Sequence, residues 1–175
     1  MAFTIERVSG PRMGTETREA LLTLCDAAYG EPLRGYLGDI GPGEHLLGRC
    51  DGVLVSHVMW VARRLQPTGM APLRTAYVEL VATAPEAQRR GYASRLLEAV
   101  PALVAEYELA ALSPATEGLY TRLGWRFWRG PLSIRTGAGL VPTPDEQIMF
   151  LRLPRTPPLD DTLPLSAEWR LGEAW

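Results

Sequence analysis

Chemistry concentrates in one stretch of the chain. The run Tyr77-Val78-Glu79-Leu80-Val81-Ala82-Thr83 holds a single acid among mostly apolar residues. Burial of such a lone carboxyl raises its pKa toward the range a general base needs. A short loop follows and closes with Gln88-Arg89-Arg90-Gly91-Tyr92-Ala93. Beyond it, Ala93, Leu96, Leu97, Val100, Leu103, Val104 and Tyr107 recur at helical spacing. The first N–H groups of a helix have no internal acceptor, and the helix dipole adds positive potential at that end. Such a turn suits a phosphate or pyrophosphate. Gly91 admits a close approach of the backbone, and Arg89 and Arg90 add charge. The same residues also describe a polar surface turn before an ordinary amphipathic helix. The turn is neither the three-glycine dinucleotide fingerprint nor a Walker A loop, which needs Gly-Lys-Ser/Thr.

The elements that position this stretch alternate between strand and helix patterns. Phe3-Thr4-Ile5-Glu6-Arg7-Val8 alternates as a strand. Thr15 is the expected N-cap of a helix ending at Gly30. Residues 30–44 carry Gly30, Pro32, Gly35, Gly38, Gly41, Pro42 and Gly43 and read as a long loop, with Leu33, Tyr36 and Asp39 available to a substrate. Asp51-Gly52 between His45-Leu46-Leu47-Gly48-Arg49-Cys50 and a second apolar run through residue 64 is a hairpin signal. His57 in that second run is expected to be a packed or hydrogen-bonded histidine, and His45 a strand-edge residue with no evident partner. After the long helix come a buried strand at residues 109–113, a short helix begun by Pro114, and a strand at residues 125–128. Residues 130–144 read as irregular, with one strand at residues 132–134. Gln147-Ile148-Met149-Phe150-Leu151-Arg152-Leu153 is a strand, and a proline-rich tail follows. Pro101 inside the long helical pattern predicts a kink, or a division into residues 93–100 and a second segment to Tyr107.

Composition bounds the function. At 175 residues, 46% apolar and 22% charged, the chain reads as one soluble domain. Its formal charge of −2 carries no nucleic-acid signature, and its basic residues are all Arg. No apolar run approaches the ~20 residues that span a bilayer. The first residues have neither a basic nor an apolar leader pattern, so a cytoplasmic protein is expected. Cys25 and Cys50 lack metal-ligand spacing and are expected to be buried structural thiols; no metal site is expected.

Two motifs carry a resemblance. Gln88-x-x-Gly91-x-Ala93 after an apolar strand resembles the acetyl-CoA loop of the GCN5-related N-acetyltransferases. Leu119-Tyr120-Thr121-Arg122-Leu123-Gly124-Trp125 resembles that family's phrase after its fifth strand. The resemblance implies an α/β fold: a mixed central β-sheet splayed between strands 4 and 5, with helices on both faces. It implies a single acetyltransferase domain over residues 1–175, with residues 154–175 as a tail lining the substrate pocket. It also implies acetyl-CoA, held by Val81, Ala82, Gln88, Arg89, Arg90, Gly91, Tyr92, Ala93 and Ser94. Acetyl transfer to an amine needs a base, a donor to the carbonyl oxygen, an acid for the departing sulfur, and alignment. Glu79 is the expected base, directly or through a water, the Val81 N–H the expected oxyanion donor, and Tyr120 the expected acid.

A narrower resemblance bears on the substrate. Trp128-x-Gly130-Pro131, Thr143-Pro144-Asp145 and the terminal Glu168-Trp169-Arg170-Leu171-Gly172-Glu173-Ala174-Trp175 are similar to the bacterial aminoglycoside 2'-N-acetyltransferases. There the tail folds back and its last carboxylate helps line the sugar pocket. By position, Asp145 or Glu146, Glu173 and the Trp175 carboxylate should meet a cationic aminosugar, with Glu79, Ser113 and Tyr36 also on the substrate side. The loop after the first helix departs from the pattern: it carries Glu31 and Asp39 but also Arg34. Fewer acids suggest fewer substrate ammonium groups, which makes kasugamycin the leading substrate and the 2-deoxystreptamine aminoglycosides the next. The alternatives are an acetyltransferase for another small amine or a protein N-terminus, and a non-catalytic acetyl-CoA-binding or drug-sequestering module. By resemblance a homodimer is the expected assembly.

Overall fold

The computed structural model describes residues 2–175, which fall into two compact units. The first comprises the chain up to Val61 together with Val78–Val100; the second comprises Ala62–Tyr77 and Pro101–Trp175.

In the first unit, β1 (Phe3–Ser9) pairs antiparallel with β2 (Glu44–Cys50), and β2 pairs antiparallel with the first part of β3 (Val53–Pro67). Asp51 and Gly52 both take positive φ, 47° and 86°, the two-residue hairpin turn that the Asp-Gly pair favours. The strand pattern therefore holds, although β3 runs three residues past its expected end. Helix α1 (Thr15–Tyr29) is capped by Gly14 rather than Thr15, and closes on Gly30 at φ 77°. Its buried face is Leu21, Leu22, Leu24 and Cys25.

Three expectations for this unit need correction. Residues 30–44 are not simply a loop: α2 (Arg34–Asp39) forms within them, and buried Leu33, Leu37 and Ile40 supply an apolar face that outweighs the glycines. His45 is no strand-edge residue. It is 3% exposed, and its Nδ1 lies 3.0 Å from Nε2 of His57, itself fully buried. The register explains the meeting: Leu47 faces His57 across the ladder, so His45 is its diagonal neighbour on the same face. Gly10 leaves room for the ring, since a Cβ there would stand 3.2 Å from His45 Nε2. Cys50 is only half-buried.

The strand β4 (Leu73–Thr83) and the helix α3 (Tyr92–Leu103) run from one unit into the other along the chain. Leu80 interrupts β4 with φ 47°. Helix α3 ends two residues after Pro101, so the element does not reach Tyr107; Val104 and Tyr107 are buried from the turn that follows. Proline removes one helical donor and crowds the preceding turn, consistent with an early end.

In the second unit, β5 (Leu109–Leu112) runs parallel to β4, pairing at Thr75, Ala76 and Tyr77, and the pairing ends there. This is the opening between strands 4 and 5 of a mixed sheet. On its other edge β5 meets β9 (Met149–Arg152), and β9 meets the two-residue β6 (Arg126–Phe127). Pro114 lies ahead of α4 (Glu117–Arg122), whose N-cap is Thr116, so proline does not start this helix. The expected irregular segment is a hairpin of β7 (Leu132–Thr136) and β8 (Gly139–Pro142). The proline-rich tail contributes β10 (Leu165–Glu168), parallel to β7 and antiparallel to the end of β3. The prolines that precede it, the last being Pro164, had hidden that strand.

The buried histidine pair makes stability pH-dependent. Burial pushes His45 down to about 4 and His57 to about 3. Both rings are neutral in the folded chain and take up protons on unfolding below about pH 6.5. Stability should be level above pH 7 and fall on acidification, by about 2 kcal/mol per ring at pH 5. Urea unfolding at pH 7 and pH 5 measures this. The interval lies above the range in which Asp160 and Asp161, both held low by hydrogen bonds, lose their charge. Equal midpoints at the two pH values would contradict neutral burial of the pair.

Candidate active site

Each unit carries its own part of the expected set. In the first, Glu79 is 8% exposed, and the Tyr36 hydroxyl donates to its Oε2 at 2.8 Å. Tyr36 reaches it from α2, whose start is fixed by the Leu33 N–H donating to Asp26 Oδ1 at 2.8 Å. The contact joins two expected substrate-side residues that are 43 positions apart in the chain. Arg34, the cation of that segment, is turned to Glu19 in an exposed ion pair. Two residues past Glu79, the Val81 carbonyl accepts from the Tyr29 hydroxyl at 3.4 Å, a contact no sequence signal announced. The Ala82 carbonyl is engaged internally by Ser56 Oγ at 2.9 Å.

The turn after β4 has the form its residues suggested. Pro85–Ala87 makes a single tight turn, and the Gln88 amide donates back to the Thr83 carbonyl at 3.3 Å. Arg89 and Gly91 both take positive φ, 60° and 80°. A Cβ on Gly91 would meet nothing within 4 Å, so glycine serves the conformation there, not packing. The first bond of α3 at this end is Arg95 N–H to Gly91 O, 3.1 Å, which leaves the N–H groups of Tyr92, Ala93 and Ser94 without helical acceptors. No acid stands in the first turn of α3, and Arg89 and Arg90 are exposed. The Tyr92 ring stacks on Phe3 at 4.7 Å, and its phenol, bonded to the Cys50 thiol at 3.5 Å, is pushed above its ordinary pKa.

In the second unit Tyr120 is 6% exposed and packs edge-on against Trp125. Burial pushes its phenol up to about 12, which keeps it protonated at neutral pH. Ser113, just past β5, is exposed. The tail is tied down from within. Arg63, 3% exposed, donates to the carbonyls of Glu168 and Ala174, each at 2.8 Å, and lies 4.9 Å above the Tyr77 ring. Trp175 is buried, and its indole N–H donates to Thr143 Oγ1 at 2.8 Å. That bond brings the end of the chain to the segment holding Asp145 and Glu146, both exposed, as is Glu173. The Trp175 carboxyl is not bare: one oxygen accepts from Arg170 at 3.2 Å. Arg63 went unnoticed in the sequence, because nothing local marks an arginine that will be buried; Arg170 was named there only as part of the terminal motif, without its partner.

A model of the acetyltransferase (GNAT) domain matches residues 18–128. An aminoglycoside 2'-N-acetyltransferase of Mycolicibacterium fortuitum is 34% identical over 173 residues, covering 91% of this chain and 86% of its own. The chain belongs to the GNAT acetyltransferase family. Solved structures agree on the fold. The GNAT-family YhbS of Escherichia coli, solved with CoA, superposes with a TM-score of 0.61 at 15% identity, covering 96% of this chain and 91% of its own. Eis1 of Mycobacterium abscessus gives 0.61 at 18% identity over 75% of this chain. The chain spans about a third of the length of Eis1 and of a probable N-acyltransferase from Enterococcus faecalis.

Acetyl-CoA is the acyl donor of this GNAT family. The turn at residues 88–94 fits its pyrophosphate: open space above a left-handed glycine, three N–H groups without helical acceptors, two exposed arginines, one of them (Arg90) bonded to the Tyr92 phenol, and no acid in the first helical turn. Arg89→Ala and Arg90→Ala should each raise KM for acetyl-CoA roughly tenfold, the worth of one charge-assisted hydrogen bond, with kcat within about twofold. Steady-state kinetics with acetyl-CoA varied reads this. A fall in kcat at unchanged KM would remove both arginines from cofactor binding.

Proposed function

We propose that this acetyltransferase transfers acetyl from acetyl-CoA to the 2'-amino group of an aminoglycoside, with kasugamycin favoured and resistance as the outcome. The observation that carries the reading is the buried Glu79 carboxyl, held by Tyr36 on the strand that leads into the cofactor turn. The substrate class is supported by the Mycolicibacterium relative, whose own name is aminoglycoside 2'-N-acetyltransferase. Asp145, Glu146 and Glu173 are exposed acids suited to ammonium groups. Glu31 and Asp39 are the only acids between α1 and β2, and this modest number favours a substrate with few amines such as kasugamycin. The acidic end of the chain, residues 154–175, is read as the tail of a single acetyltransferase domain that lines the sugar site. Ser113 and Tyr36 join it on the substrate side. The need for acetyl-CoA supports a cytoplasmic location.

Bound acetyl-CoA supplies an acyl group activated as a thioester. Glu79 takes the proton from the attacking ammonium, directly or through a water. The amine nitrogen then bonds to the carbonyl carbon as the carbon–sulfur bond breaks. The Val81 N–H donates to the carbonyl oxygen as charge gathers there. Tyr120 gives its proton to the departing sulfur; the acylated nitrogen loses its second proton as the amide forms, and that proton returns through solvent to the Tyr120 phenolate, leaving the acetylated sugar and free CoA.

Thiol release from acetyl-CoA, measured against a panel of aminoglycosides that includes kasugamycin, tests the reading. Kasugamycin should accelerate release most. Acceleration by simple amines or peptides alone would replace the antibiotic reading, and no acceleration by any amine would favour a binding module. Glu79→Gln and Tyr120→Phe should each lower kcat by about 10²–10⁴. Tyr120 also makes a pH prediction. With its phenol raised to about 12, the acid stays loaded, and its ionisation should cause no fall in rate between pH 8 and pH 10. A falling limb near pH 10 that disappears in Tyr120→Phe would contradict this.

A further inference from the structure

We infer that His57, set in place by His45, is the positioning residue for the Val81 amide. The inference rests on the assignment of that amide to the thioester oxygen. All the residues involved lie in the first unit. Leu80, at φ 47°, turns its carbonyl out of the strand direction, and His57 Nδ1 meets that oxygen at 2.8 Å. The Leu80 carbonyl and the Val81 N–H belong to one peptide unit. Peptide units are planar, and none of the described residues has a cis bond. In a trans peptide the C=O and the N–H point in opposite directions. Holding the oxygen of Leu80 therefore aims the N–H of Val81. It also polarises it, because a hydrogen bond to the carbonyl strengthens the amide at the far end as a donor.

The hydrogen-bond roles in this chain of groups follow from valence. A carbonyl only accepts, so His57 carries its proton on Nδ1 and presents Nε2 as an acceptor. His45 Nδ1, 3.0 Å from that Nε2, must then be the donor. Both rings are thus Nδ1–H tautomers, the less common form of a free neutral imidazole. Burial keeps both uncharged at neutral pH. Cys25 Sγ packs 3.9 Å from the same His57 nitrogen and stays a thiol, pushed up to about 12 by burial. None of these three side chains has a part in the chemistry above. A left-handed leucine inside a strand is strained and needs a partner for its displaced carbonyl. The histidine pair supplies one from the core side.

The test combines spectroscopy with kinetics. The chain has only two histidines, so a long-range ¹H–¹⁵N spectrum at pH 7 assigns both tautomers without ambiguity. Two neutral Nδ1–H rings are expected; an Nε2–H pattern or a charged ring on His57 overturns the proposal. His57→Leu removes the donor, and His57→Asn places an amide N–H near the position of Nδ1. In His57→Leu kcat should fall about tenfold or more, with KM for acetyl-CoA within about twofold; His57→Asn should recover most of kcat. A His57→Leu enzyme that folds and retains wild-type kcat overturns the proposal, as does an equal loss in both variants. If His57→Leu does not fold, the tautomers of the wild-type chain and the His57→Asn kinetics decide. The ¹³C shift of the thioester carbonyl of bound acetyl-CoA, measured with no amine present, separates this proposal from the substrate reading. It should move upfield in His57→Leu even if no aminoglycoside is a substrate, and an unchanged shift counts against the positioning role.

Discussion

A planar peptide cannot turn its carbonyl one way without turning its amide the other, and the first unit depends on that constraint at Leu80 and Val81. Leucine seldom adopts a left-handed conformation, and a carbonyl removed from a ladder must find another donor. His57 is that donor. Its ring is oriented by His45, which the pairing of Leu47 with His57 brings to the diagonal position. That register is set in turn by the two-residue turn at Asp51 and Gly52. A tight turn more than twenty residues upstream thereby bears on the direction of one amide in the candidate site. Glu79, the proposed base, lies on one side of the break and the proposed cofactor turn follows it, so the two share one short piece of chain.

The second unit is organised around a buried cation. Arg63 would be costly to bury alone, and its position is tolerated because two carbonyls, the Glu168 carboxylate and the face of Tyr77 surround it. In return it ties the last residues of the chain to β3. The tail is therefore part of the sheet through β10, and Trp175 ties its end to the neighbouring segment at residues 143–146. Arg170, bonded to the terminal carboxyl, partly offsets its charge before any substrate arrives. In the proposed reading, the acids left to meet an aminosugar are then the exposed Asp145, Glu146 and Glu173.

Much of this was legible in order along the chain. The run from Tyr77, the glycine turn and the start of α3 combine signals that each span only a few residues, and they reappear as read. The Asp-Gly hairpin is legible for the same reason. Errors collected where local and tertiary preferences disagree. Helix α2 forms in a glycine-rich segment because Leu33, Leu37 and Ile40 are buried together, an outcome that propensity alone argues against. Strand β10 forms directly after Pro164, at the end of a proline-rich run, because β3 and β7 offer it two edges. Helix α3 stops after Pro101 although its apolar pattern continues, since the lost donor matters to a helix and not to a buried turn.

By itself, the sequence determined the kind of chemistry: a turn suited to a pyrophosphate, a lone acid on the strand before it, a tyrosine in a matching phrase, and with them the family. These are properties of neighbouring residues, and backbone geometry relates neighbours directly. Only the tertiary structure decided which groups hold one another. The bonds from Tyr36 to Glu79, His45 to His57, His57 to Leu80 and Arg63 to Ala174 join residues from 12 to 111 positions apart. Such pairs follow from strand register and burial. A one-residue slip in a strand would turn every one of its side chains to the other face, and no local pattern encodes the partner.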